Sequence, residues 1–158
     1  MAGDVPAGEP NSLSGHAIIA GFGVPGRAVG EALAARQIPF VVVELNPKTV
    51  DRCAHSGVHI IEGDVRQEQT LRRAGIERAI FFAITVPDDP TALEAVRAAR
   101  EINPTIPIVA RFHFISNGME AHRRGANEVV IEEKVVAQEF LRLLKTNERL
   151  LPAEAARR

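Results

Sequence analysis

The residues best suited to chemistry lie near the start of the chain. Gly21-Phe22-Gly23-Val24-Pro25-Gly26-Arg27 sets three glycines at the spacing Gly-x-Gly-x-x-Gly, directly after the apolar run His16-Ala17-Ile18-Ile19-Ala20. Each glycine has its own use: Gly21 permits a tight turn, Gly23 lets the backbone approach a diphosphate with no Cβ in the way, and Gly26 lets a helix pack close to the preceding strand. A helix opening near Pro25 directs its free amides and positive dipole end toward such a diphosphate. Pro25 removes one donor while pre-setting the first turn. Gly30, one turn later, extends the close-packed face.

A carboxylate completes the pattern. Glu44 ends a second apolar run eighteen positions after Gly26, close to the roughly twenty-residue offset at which an acid meets the ribose hydroxyls of an adenosine. It would repel a 2′-phosphate, so NAD(H) or a simple adenine nucleotide is expected in preference to NADP; a solvated acid at a strand end is the alternative. Leu45 flanks it, and Asn46 offers a neutral hydrogen bond to ribose or adenine. Gly63-Asp64-Val65 follows the third run, where Asp64 either accepts an adenine amino group or bonds its own backbone in a turn. Thr85 and Val86 close the fourth run at the opposite lip of the crevice. Arg111 closes the fifth, to pair with phosphate, with an acid across a dimer, or with a local acid.

These residues need a parallel sheet to bring them to one edge. Apolar runs at 16–21, 40–44, 58–62, 78–85, 106–111 and 128–131 alternate with helical patterns at 25–36, 47–56, 67–74, 90–102, 114–124 and 134–151. Most of the runs lack polar alternation, as expected of strands covered on both faces. Pro47 and Pro90 suit first helical turns, Asp89 is placed to cap the fourth helix, and Gly57, Gly75 and Gly125 sit just past helix ends. The pattern predicts an α/β fold of Rossmann type: a doubly wound, six-stranded parallel sheet in the order 3-2-1-4-5-6 with a C-terminal helix, as a single domain over 15–151. Residues 1–14 and 152–158 are expected to be flexible ends. The last helix carries Val135, Val136, Phe140, Leu141, Leu143, Leu144, Leu150 and Leu151, more apolar surface than one sheet edge covers, so either it crosses to a second copy or it folds back on its own sheet.

Composition narrows the function. At 158 residues there is room for one domain, and 46% hydrophobic with 25% charged residues suits a chain able to bury a core. A net charge of -1 supplies no field for nucleic acid. No apolar run reaches the roughly 20 residues that span a bilayer, and the first ten residues lack the features of a signal peptide, so a cytoplasmic location is expected. Cys53, the one cysteine, reads as packing, and the five histidines form no metal-ligand pattern. The chain has no tyrosine, which excludes the Tyr-x-x-x-Lys acid/base pair of short-chain dehydrogenases. His113 and His122 read as surface residues, and neither a triad-like spacing nor a P-loop occurs. No catalytic residue is assigned.

The glycine turn, Val41-Val42-Val43-Glu44-Leu45-Asn46-Pro47, the Gly63-Asp64 pair and Gly125-Ala126-Asn127-Glu128-Val129-Val130 together resemble the RCK family, also called KTN or TrkA-N domains, over about residues 15 to 150. The resemblance implies regulation of potassium channels, Trk-type uptake systems or Kef-type antiporters from the cytoplasmic side, with NAD(H), ATP, ADP or AMP at the carboxyl edge of the sheet. It assigns Gly21, Gly23, Gly26 and Arg27 to phosphates, Glu44 to ribose and Asp64 to the adenine side. It also implies a homodimer, or a larger ring, in which the helix after the sixth strand crosses to a partner. Pro25 and Asn46 depart from the family's commoner residues, the latter standing where a second acid is frequent. The family's smaller C-terminal domain and membrane part are missing, which leaves a stand-alone subunit or an excised piece. The competing reading is an NAD-dependent oxidoreductase fragment without its substrate domain, and a third is a structural dimerisation module whose nucleotide site has decayed.

Overall fold

The computed structural model describes residues 13–150. Strands β1 (Ala17–Ala20), β2 (Phe40–Glu44), β3 (Ile60–Glu62), β4 (Phe81–Ile84), β5 (Ile108–Phe112) and β6 (Glu128–Ile131) alternate with helices α1 (Val24–Ala35), α2 (Pro47–Ala54), α3 (Glu68–Arg73), α4 (Asp89–Ile102), α5 (Ile115–Arg124) and α6 (Glu132–Thr146). A short 3-10 turn, Glu148–Leu150, follows α6. All strands run parallel in the order β3-β2-β1-β4-β5-β6, as the alternation of elements predicts. β1 lies at the centre, with Ala17 level with both Phe40 and Phe81. The expected tails at 1–14 and 152–158, and Leu151 of the last helix, lie outside the described residues apart from positions 13 and 14.

The central strands are covered on both faces. Ile18, Ala20, Val41, Val43, Phe82 and Ile84 turn toward α3, α4 and α5, whose Leu71, Ala95, Val96 and Ala121 complete the larger core. Ala17, Ile19 and Val42 turn the other way, against Leu33 of α1 and Cys53 of α2. Fully burying a side chain such as Ile18 or Phe82 contributes about 1.5–3 kcal/mol. Cys53 is part of this packing, and burial pushes its thiol up.

Coverage fails at the other end of the sheet. In β5, Ile108, Ala110 and Phe112 are buried under the helices while Val109 and Arg111 are only half-buried, and in β6 Val130 is exposed. α1 and α2 pack over β1 to β3 and part of β4, and among the described residues no helix buries Val109 or Val130 on the rest of that face, so apolar sequence alone did not guarantee two covered faces. α6 does not supply the cover: none of its fifteen residues is buried. Of the two alternatives for this helix, folding back fully onto its own sheet is not what its described residues do.

Helix ends match the punctuation in most places. Pro25, Pro47 and Pro90 all sit in first turns, and Gly125 closes α5 at φ 110°, a left-handed conformation that costs glycine little. Gly57 and Gly75 have positive φ as well. One cap is corrected: Asp88, and not Asp89, caps α4 by accepting the Thr91 amide at 2.8 Å. Asp89 is the first residue of the helix itself, and its carboxylate turns inward.

Candidate functional site

The glycine turn lies between β1 and α1 at the carboxyl edge of the sheet. Gly21 has φ +84°, its amide donates to the Val43 carbonyl at 2.9 Å, and a Cβ there would stand 3.1 Å from the Val86 amide nitrogen. At Gly26 a Cβ would fall 2.2 Å from the Gly21 carbonyl oxygen and 2.8 Å from the Thr85 hydroxyl, so only glycine fits. Gly30 meets the Phe22 and Phe40 rings in the same close-packed manner. Gly23 differs from these: nothing lies within 4 Å of the place its Cβ would take. This is the open side of the turn.

Gly23 is the N-cap of α1, and no side chain caps the helix. Of the orphan amides of a first turn, Pro25 has none, and Arg27 already donates to the Gly23 carbonyl at 3.0 Å. Gly23, Val24 and Gly26 are left as the donors, at the positive end of the helix dipole. Arg27 is exposed and makes no ion pair among the described residues. The Val24 side chain is exposed, whereas the Phe22 ring is buried, so Phe22 presents only its backbone at the turn.

That amide donates to Glu44 Oε2 at 2.9 Å. Glu44 Oε1 accepts the amides of Leu45 and Asn46, each at 2.9 Å. The carboxylate thus ties the end of β2 to the glycine turn. Of its roughly four lone-pair positions three are used, and the one left, on Oε2, can take a ribose hydroxyl. Asn46 is committed elsewhere: its side chain caps α2 by accepting the Lys48 amide at 3.0 Å. Leu45 is largely exposed beside it.

Across the crevice, the Thr85 hydroxyl donates to the carbonyls of Ala20 at 3.0 Å and Gly21 at 2.9 Å. Its single hydrogen is spent on holding the turn. Val86 is half-buried against the main core. After β3, the Gly63 amide donates to the Glu44 carbonyl, and a Cβ at Gly63 would meet Thr70 at 2.8 Å. Asp64 takes the turn form: Oδ1 accepts the Arg66 amide at 2.9 Å, and the Arg66 guanidinium holds the carboxyl below the usual carboxylate range. Val65 packs its side chain in the core.

Arg111 lies one residue before the end of β5, not at it, and pairs with Glu132 at the start of α6 while donating to the Thr85 carbonyl at 3.3 Å. Of the three partners open to it from the sequence, the local acid is the one it takes. The same stretch holds a cluster the sequence did not reveal. Asp89, 6% exposed, accepts the amides of His113 at 2.9 Å and Phe114 at 3.4 Å, and Asn117 Nδ2 at 2.6 Å. Burial pushes the Asp89 carboxyl up, but the hydrogen bonds from Asn117, His113 and Phe114 outweigh it and leave it below its ordinary value. His113 stands between Asp89 Oδ1 at 3.0 Å and Glu132 Oε2 at 3.3 Å. Its only signal in the sequence was the Asp88-Asp89-Pro90 helix start; the partners lie more than twenty positions away. No group of side chains able to hold a metal ion occurs among the described residues, and no described helix is long and apolar enough to cross a membrane.

A doubly wound parallel sheet whose first βα turn presents open helix amides beside an acid at the end of the second strand defines a Rossmann-type domain. The chain belongs to the TrkA-N domain family, whose model matches residues 17–132. It is 36% identical over 137 residues to the putative cation/proton antiporter YbaL of Escherichia coli, covering 87% of this chain and 25% of that protein. The chain therefore spans about a quarter of that relative's length. Against the crystal structure of the YbaL TrkA-N domain the TM-score is 0.80 at 36% identity, covering 84% of this chain and 98% of that one. The Kef C-terminal domain of Shewanella denitrificans in AMP-bound form gives a TM-score of 0.69 at 28% identity, with 84% and 82% covered.

Proposed function

We propose that this chain is a nucleotide-sensing regulatory domain for potassium or potassium/proton transport, binding NAD(H) or AMP, ADP or ATP at the Gly21-x-Gly23-x-x-Gly26 turn. The observation that carries it is the pairing of an open Gly23, flanked by the donor amides of Val24 and Gly26, with a Glu44 carboxylate that keeps one lone pair free. Phosphates take the amides and Arg27, and Glu44 takes one ribose hydroxyl. Leu45 and Asn46 bound the ribose side, Gly63, Asp64 and Val65 the adenine side, and Thr85 and Val86 the facing wall. Relatives that are parts of antiporters and an AMP-bound Kef neighbour support the reading. Such a domain spans 15–151 and acts from the cytoplasmic side on a membrane channel or antiporter.

The same reading includes a homodimer. α6 leaves Phe140, Leu141, Leu143 and Leu144 half or more exposed, while Pro25, Val29, Phe81, Val109, Val130 and Val135 line an apolar cavity of about 340 Å³ beside it. Two such surfaces on one chain are covered together when two copies pair. Ligand then regulates to the extent that it binds two arrangements of the pair with different free energy.

Isothermal titration with NADH, NAD, NADPH, ATP, ADP and AMP, on the chain and on Glu44→Ala, tests the site. Binding of an adenine nucleotide, weakened about tenfold or more by the substitution because a charge-assisted hydrogen bond is lost, is the expected result. Binding equal in the two proteins would remove Glu44 from the site, and no binding at all would leave a structural dimerisation module.

A further inference from the structure

On the nucleotide-binding reading Asp64, just past β3 at the carboxyl edge, stands on the adenine side, and a second residue already occupies it. Oδ1 accepts the Arg66 amide at 2.9 Å and its Nε at 3.0 Å; Oδ2 accepts Nη2 at 2.7 Å and Nε at 3.1 Å. An ionised carboxylate offers about four lone-pair positions, and one side chain with its own amide engages both oxygens. A purine amino group arriving here has to displace the guanidinium to be accepted. The clasp is a surface one, with side-chain exposures of 50% for Arg66 and 16% for Asp64, and exposed ion pairs of this kind hold weakly. The carboxylates of Asp88 and Glu94 also act on the Arg66 guanidinium.

We propose that Arg66 sets the base selectivity of the nucleotide site. Clasped to Asp64, it screens the acceptor that a 6-amino purine needs and presents N–H donors, which suit the carbonyl of a 6-oxo purine; released, it leaves Asp64 to accept the amino group. The inference rests on the nucleotide-binding reading above. It adds a residue whose effect falls on the base and not on ribose or phosphate.

The test is titration of the full chain and of Arg66→Gln with AMP and IMP. The two ligands share ribose and phosphate, so the change of charge at position 66 acts on both alike through the phosphate and cancels in their ratio. Arg66→Gln is expected to raise the preference for AMP over IMP by about two- to fivefold, the scale of an exposed ion pair, and Asp64→Asn added to it is expected to abolish the gain. A ratio that stays level or falls, or a gain that survives Asp64→Asn, overturns the role of Arg66 while nucleotide binding itself stands. If neither protein binds either ligand, the role of Arg66 falls together with AMP as a ligand, and the titration with NADH and NAD decides the rest of the binding reading.

Discussion

The glycine turn and α6 pose opposite problems for the same chain. At the turn, the shaping groups find partners inside the molecule: the Thr85 hydroxyl on two carbonyls, Glu44 on three amides, Phe22 in the core. What stays open is small and polar, a bare Gly23 and the amides of Val24 and Gly26. Along α6 the polar first turn is the part that is tied down, Glu132 to Arg111 and Glu133 to the Ile115 amide at 3.1 Å, while the apolar body is left exposed. An anion of a few atoms can satisfy the first. Only a surface of several hundred Å² can satisfy the second.

The largest expected effect tests α6. Phe140 and Leu144, 64% and 50% exposed, share one face at a spacing of four. Burial contributes about 1.5–3 kcal/mol for each such side chain, so Phe140→Asp with Leu144→Asp is expected to weaken self-association more than about a hundredfold, read by sedimentation equilibrium. The unfolding midpoint of the separated monomer should hardly move, since neither residue is buried within the chain. Equal association of variant and parent would mean that α6 is not the contact between copies.

Next come two substitutions inside the turn that separate fold from binding. Gly26→Ala places a Cβ 2.2 Å from the Gly21 carbonyl, and overpacking of this sort costs about 1–3 kcal/mol, enough to lower the Tm by roughly 2–12 °C in a chain of this size. Gly23→Ala meets nothing within 4 Å and should leave the Tm within a degree or two while cutting nucleotide affinity. Should Gly23→Ala destabilise as much as Gly26→Ala, the turn would be a packing device throughout and its open side would have no special standing.

The same contrast explains what could be read from the sequence. Gly26 and Glu44 were legible because a βαβ unit fixes the distance between its turn and the end of its second strand, so eighteen positions carry geometric meaning. The strand order followed from the alternation of elements and the hand of the crossovers. Asp89 was misread as a cap because Asp88 and Asp89 are equally good capping residues one position apart, and what draws Asp89 inward, the amides of His113 and Phe114 and the side chain of Asn117, comes from a distant loop. Arg111 and Asp64 were left with several partners for the same reason: a charged residue states a need, and the nearest opposite charge in space answers it. The open face of β5 and β6 was invisible because an apolar strand has the same sequence whether its cover belongs to its own chain or to another.

The smallest expected effect lies behind the turn, at His16, and tests how closed that half of the molecule is. The ring is fully buried just before β1, Nε2 lies 2.8 Å from the Ala74 carbonyl, and Nδ1 has no hydrogen-bond partner. Burial lowers its pKa below the ordinary 6.5, against the opposing pull of the Ala74 carbonyl. The folded chain therefore keeps His16 neutral at a pH where the unfolded chain takes up a proton. Its contribution is complete above about 6.5 and shrinks as the pH falls below that value, by at most about 1.4 kcal/mol per pH unit. Urea unfolding at pH 7.5 and 5.5 should show the parent losing more stability on acidification than His16→Leu, although the variant starts lower for want of the bond to Ala74. Equal losses in both would mean that His16 takes its proton without unfolding, and that water enters the β1 end of the sheet as freely as it reaches α6.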